Sequence, residues 1–400
     1  MHLAHWSIAQ TKNRETEASG IGWELFLNYR IARDKYKPDY FLYENNKSMS
    51  PAIRTQITAE LGVDPVLINS ALVSAQTRQR LYWVGRRNPD GTYSQVPVEQ
   101  PVDRGILLRD ILETGICWRE KGYALTASSH SATAEDMFAR RQRNGVAEPI
   151  DACCVAQRGR YIGEGGKVAQ HFEARTDGKT NTLTTVEKDN LVAEPIRIGT
   201  IENDAKNPDH DSQQYRVYSP DGKSVTLCGN GGGLGAKTGL YATPAGGPDG
   251  KAWLVYEVRD GFITIKGKRY PIKLRDGFYI IRKLTVRECM RLQTVPEEYV
   301  FPVSNSQAYK MLGNGWTVDV IAHIMSHFEG LTTEPVEVLS MYDGMSCGHI
   351  ALDKLGAEIT AYYATEIDKY AIQTKQHNFP EAIQLGDAFQ VRNDDWRVEE

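Results

Sequence analysis

Apolar residues recur at helical spacing through residues 20–38, at Leu25, Phe26, Tyr29, Ala32 and Tyr36, and Pro38 ends the run. The next stretch, Asp39-Tyr40-Phe41-Leu42-Tyr43, suits a buried strand that ends at Glu44-Asn45. A second helix-like stretch near 50–61 leads to strand-like runs at Val66-Leu67-Ile68 and at Leu81-Tyr82-Trp83-Val84-Gly85. Strands alternating with helices predict an α/β fold, a doubly wound and mostly parallel sheet with helices on its faces. From about 89 to 280 the pattern breaks into short β-like runs among Gly, Thr, Asp and Asn, which predicts an inserted, loop-rich domain. Helical patterning returns at 284–293 and 316–328. Thr332-Thr333-Glu334-Pro335 reads as a linker.

The segment after that linker is the most informative. Residues 336–342 read as a strand, Asp343-Gly344-Met345-Ser346-Cys347-Gly348 as a tight turn and 349–355 as a helix. A second strand, 361–364, runs to Glu366, and a third, 383–385, to Gly386-Asp387. Small residues after the first strand let the backbone approach a ligand at the helix N-terminus. An acid some 20 positions on, at the end of the second strand, can accept both hydroxyls of a ribose. The pattern points to an adenosine-containing ligand, and nicotinamide-binding and methyl-donor folds share it.

Composition narrows the class. With 41% apolar and 24% charged residues, the 400-residue chain is an ordinary globular protein, which excludes disordered and collagen-like classes. No apolar run is long enough to span a bilayer and no signal-peptide pattern opens the chain, so a cytoplasmic, monomeric protein is expected. The six cysteines, at 117, 153, 154, 228, 289 and 347, lack Cys-x-x-Cys spacing, so neither disulfides nor a metal site is expected. The net charge of −4 divides unevenly: residues 331–400 carry −8 and the rest +4. A mildly basic body beside an acidic segment is compatible with binding nucleic acid through one face.

Further motifs complete the picture. Glu44-Asn45, Gln76-Thr77-Arg78-Gln79-Arg80, Arg287-Glu288 with Arg291-Leu292-Gln293 and Pro296, and Gly313-Asn314-Gly315-Trp316 stand in a consistent cyclic order with the Asp343 turn, Glu366 and Asp387. Together they resemble the cytosine-5 DNA methyltransferase family in rotated order, since family members usually begin with the Asp343-type motif and finish with the Gly-Asn-Gly segment. The resemblance implies an S-adenosylmethionine-dependent methyltransferase sheet with an inserted target-recognition domain. Residues 1–88 and 281–330 would then belong to the catalytic domain, 89–280 to target recognition, 331–337 to a linker and 338–400 to the donor-binding part.

The resemblance also implies roles. Asp343, Gly344, Gly348, Glu366, Asp387 and Asn314 would hold S-adenosylmethionine. Glu44 would contact N3 and the exocyclic amine of a flipped cytosine, with Arg78 and Arg80 on its O2 or the target phosphate. Arg140, Arg141, Arg143, Arg158 and Arg160 could bind DNA phosphates. Double-stranded DNA is the expected partner, and a restriction–modification partner a further one.

One position departs from the pattern. Aligning Trp6-Ser7 with the family's aromatic-Ser pair puts Leu3 where the family carries its cysteine nucleophile. The family reaction needs that thiolate at C6, because C5 of cytosine is too electron-poor to attack a sulfonium methyl unaided. Little or no methyl transfer is therefore expected from the chain as it stands. A non-catalytic, donor- and DNA-binding regulatory or specificity subunit is the alternative.

Overall fold

The computed structural model describes residues 6, 15–141, 143–150, 154–162, 167–175, 191–192, 197–200, 216–218, 240–241, 253–393 and 396. They divide into two compact units. One comprises residues 1–112, 120–132 and 284–400, the other 113–119 and 133–283.

In the first unit the helix Gly20–Tyr36 buries Leu25, Phe26 and Ala32, and Lys37 closes it in a left-handed conformation, its N–H on the Arg33 carbonyl. The helix Pro51–Leu61 begins where the Ser50 side chain accepts from the Ile53 amide, and Pro51 occupies a first-turn position that needs no N–H. Ile53, Ile57 and Leu61 recur on one face and are all buried. They join Phe26, Phe41, Tyr43, Trp83 and Trp6 in one core cluster. Each such aliphatic or aromatic side chain contributes roughly 1.5–3 kcal/mol through burial.

The strands of this unit differ in part from expectation. Tyr40–Asn46 and Pro65–Asn69 both pair antiparallel with Gln79–Arg87, which lies between them. The link between Pro65–Asn69 and Gln79–Arg87 is too short for the dozen or more residues of a parallel crossover, so the chain must reverse. The expected parallel order holds in the last segment, where Val336–Ser340, Ile359–Thr365 and Ile383–Gly386 form a three-stranded parallel sheet. The described strands thus make mixed sheets with helices. Two helices that the pattern did not predict, Asn305–Asn314 and Lys369–Asn378, complete the unit. Apolar residues are a minority in both, which leaves no long apolar run to mark them.

The second unit is built on antiparallel strands. Gly277–Lys283 pairs with both Gly145–Ile150 and Trp253–Arg259, and Lys167–Arg175 joins Trp253–Arg259 to Cys154–Ile162. Its small core includes Val146, Ala147, Val258 and Ile263, with Trp118 stacked on Phe138 at 4.9 Å. Gly145 is required there, since a Cβ would lie 2.4 Å from Trp118 and from the Met137 sulfur.

Candidate active site

Glu44 stands near the end of the strand Tyr40–Asn46, where it is buried. Its Oε1 pairs with Arg80 Nε at 2.9 Å and its Oε2 accepts from Trp316 Nε1 at 3.1 Å. The carboxylate is thereby fixed from two sides, by a guanidinium and an indole, both charge-assisted contacts. Arg80 also donates to the Gln79 carbonyl. The structure thus places Glu44 and Arg80, which lie in two separate motifs, side by side.

Arg78 behaves differently from its expected part. It is buried, and its guanidinium donates to the carbonyls of Leu125 at 3.0 Å and Gly315 at 2.8 Å, with a longer contact to Gly313. Burial pulls its pKa down to about 9, helped by Arg80 and opposed by Glu44. A side chain so committed to main-chain oxygens positions the Gly-Asn-Gly loop. Asn314 itself is exposed at the end of the helix Asn305–Asn314.

A buried polar network supports that loop. Gln76 Nε2 donates to the Leu292 carbonyl at 2.7 Å and to Gln293 Oε1 at 2.8 Å, while its Oε1 accepts from the Leu125 amide. Gln293 donates to the Leu312 and Gly315 carbonyls, and Thr317 donates back to Gln293. Ser70 donates to Thr317 at 2.9 Å. Satisfied networks of this kind specify one arrangement of a core. They account physically for two glutamines that the motifs contained and to which no role was given.

The Asp343 turn is built locally. Tyr342, Gly344 and Ser346 all have φ near +60°, so left-handed residues alternate along it. Such alternation turns successive N–H groups toward one side, the concave form that takes anions and polar ligands. Two of these residues carry side chains, and strain of this sort concentrates at functional sites. The Asp343 carboxylate accepts from Ser340 at 2.7 Å, from Tyr362 Oη at 2.7 Å and from Ser346. Burial pushes its pKa up, against those three hydroxyls.

Glu366 closes the turn. Its Oε2 accepts from the Gly344 amide at 3.1 Å, and its Oε1 from the amides of Ile367 and Asp368. It lines a small pocket with Tyr342, Thr365, Ile367, Asp387 and Ala388, so the two acids named from the sequence share one cavity. Lys375 is buried, and the charges of Asp343 and Glu366 favour its ammonium against the lowering that burial imposes. Gly348 opens space rather than a turn: a Cβ there would stand 3.2 Å from Tyr362 Oη and 3.8 Å from the Trp316 ring. Cys347 is buried and its thiol is pushed up to about 12, mainly by burial, which disfavours a thiolate. Trp316, Tyr362 and Lys375 were not singled out from sequence; only the motif containing Trp316 hinted at any of them.

In the second unit Arg140 is exposed and pairs with Asp136 at 3.0 Å, and Arg141 is exposed in a left-handed conformation. Arg143 is half-buried and its charge acts on Asp136. Arg158 and Arg160 fall in the strand Cys154–Ile162, and their side chains lie outside the described residues, as does Leu3. No group of His, Cys, Asp and Glu able to hold a metal occurs among the described residues, and no helix there is long and apolar enough to cross a membrane.

The chain is similar to several curated proteins. It shares 28% identity over 148 residues with the type II methyltransferase M.HhaI of Haemophilus parahaemolyticus, covering 37% of this chain and 33% of that one. Over 359 residues it is 24% identical to the orphan methyltransferase M.SPRI of Bacillus phage SPR, covering 75% of each. A third stretch, 121 residues at 26% identity, matches the DNA (cytosine-5)-methyltransferase DRM1 of Arabidopsis thaliana, covering 30% of this chain and 18% of that protein. The chain therefore spans about a third of the first of these relatives and three quarters of the second. The model of the C-5 cytosine-specific DNA methylases matches residues 4–329, most of the chain, and the chain belongs to that family.

Proposed function

We propose that the chain binds S-adenosylmethionine and double-stranded DNA as a cytosine-5 methyltransferase, with the two corners described above as its donor and base pockets. S-adenosylmethionine, the methyl donor of the family, supplies an activated methyl on a sulfonium when bound. The residues present fit it: Glu366 offers a carboxylate for ribose hydroxyls, Asp387 shares its cavity, and Gly344, with open space where a Cβ would stand, lets a ligand come close to the backbone of the turn. The observation that carries the proposal is the Glu44–Trp316 hydrogen bond, because the indole also reaches Gly348 and so brings the base corner to the donor turn.

Each residue then has a task. Glu44, held by Arg80, faces N3 and the exocyclic amine of an extruded cytosine and stabilises charge on the ring. Arg78 clamps the Gly-Asn-Gly loop, and Asn314, exposed on that loop, is assigned to the donor. The two strand groups of the first unit are taken as parts of one doubly wound methyltransferase sheet. The second unit is the target-recognition domain, with Arg140, Arg141 and Arg143 on the DNA backbone. The names of the type II relatives favour a restriction–modification partner.

Leu3 sets the expected activity. Transfer of tritiated methyl to duplex DNA should be slight for the chain, should rise for Leu3→Cys and should stay slight for Leu3→Ser. Strong labelling by the unaltered chain would show the nucleophile is misplaced. A Leu3→Cys protein that binds donor and DNA without labelling would favour the non-catalytic subunit.

A further inference from the structure

Trp316 touches both corners. Its indole N–H donates to Glu44 Oε2 at 3.1 Å, and its six-membered ring lies 3.8 Å from where a Cβ on Gly348 would stand. The residues on either side are pinned: the Gly315 carbonyl by Arg78 and Gln293, the Thr317 hydroxyl by Ser70 and Gln293. A side chain between two pinned neighbours has its direction set by the scaffold. Trp316 is only half-buried, so it keeps apolar surface for a ligand while its polar end is committed to Glu44.

We propose that Trp316 is a positioning residue that couples the two pockets. A ligand against the Gly344–Gly348 turn fixes the indole, and the indole N–H fixes the Glu44 carboxylate. This rests on the assignment of those corners as donor and base pockets. Coupling of this kind is reciprocal, so a change at Glu44 must be felt at the donor turn, and felt through Trp316.

The test is a calorimetric titration of S-adenosylhomocysteine into the full chain and into Trp316→Phe, Glu44→Gln and the double variant. Trp316→Phe keeps a ring and removes the N–H. In Glu44→Gln, Arg80 keeps the amide oxygen, so an NH2 group faces the indole and the hydrogen bond is lost. Each single variant should weaken binding about three- to tenfold, the scale of one typical net hydrogen bond, and the double variant no more than either. Trp316→His keeps a ring N–H for Glu44 but lacks the six-membered ring at Gly348, so its affinity should stay reduced and a further change at Glu44 should cost nothing more. Binding by the wild-type chain with independent, multiplying losses, or with no loss from either single variant, would overturn the coupling alone. A folded wild-type chain that does not bind would overturn the donor pocket and the coupling together.

Discussion

The base corner and the donor turn belong to the same unit yet are held together by opposite means. At the base corner the decisive bonds join residues far apart in the chain: Glu44 to Trp316 across 272 positions, Arg78 to Gly315 across 237, Gln76 to Gln293 across 217. At the donor turn the bonds around its two acids are short-range, with Ser340 three and Tyr362 nineteen residues from Asp343 and Glu366 twenty-two from Gly344, beside longer ties in which Tyr342 donates to the Leu25 carbonyl and Tyr299 to that of Met345. A site built from distant pieces depends on the whole unit being folded. A site built from one βα turn and the next strand carries most of its geometry with it. Loss of a scaffold side chain should therefore be felt most at the base corner.

The largest expected effect follows directly. Arg78→Met strips donors from the Leu125, Gly313 and Gly315 carbonyls, and should destabilise the fold by about 3 kcal/mol in urea unfolding. An unchanged midpoint would mean that the loop is held without Arg78, and the contrast with the donor turn would fail.

An intermediate effect concerns the second unit. Charge reversal at Arg140, Arg141 and Arg143 together should weaken duplex DNA binding across all sequences and lower the salt dependence by up to roughly three counterions. A loss confined to particular sequences would show instead that these arginines read bases.

The smallest effect is at the donor turn itself. Asp343 has its pKa raised by burial, so the folded state binds that proton more tightly than the unfolded chain. Its contribution to stability is present below the unfolded carboxylate pKa and is lost as pH rises through the raised, folded value. Asp343→Asn, which keeps the shape without the charge, should therefore gain on the wild type as pH rises from about 4 upward. Urea midpoints across that range check the sign; a gain that grows as pH falls would contradict it.

The same contrast explains what could be read from the amino-acid sequence. The donor turn was legible as strand, turn and helix because its chemistry is local: small residues, an acid at the end of the next strand, and a further acid at Asp387. The base corner was legible only as motifs. Nothing in the spacing of Gln76, Gln293 and Thr317 says that they share a network, since their meeting depends on tertiary folding. Arg78 was expected on the cytosine O2 or the target phosphate for the same reason: its burial against the carbonyls of 313 and 315 depends on where the fold brings that loop. Strand direction among residues 40–87 was misjudged because alternation of helix and strand speaks to pairing only when the connections are long enough to cross over.

The most direct measurement is the binding of S-adenosylhomocysteine to the folded chain, compared with Glu366→Ala. Glu366 ties the Gly344 amide to the pocket it shares with Asp387, so its loss should cost at least about tenfold in affinity, the scale of hydrogen bonds to a charged group, while urea unfolding confirms that the fold persists. Binding by the wild-type chain with that loss is the predicted result. A folded chain that does not bind, or a Glu366→Ala protein that binds as tightly as the wild type, would contradict the placement of the donor at this turn.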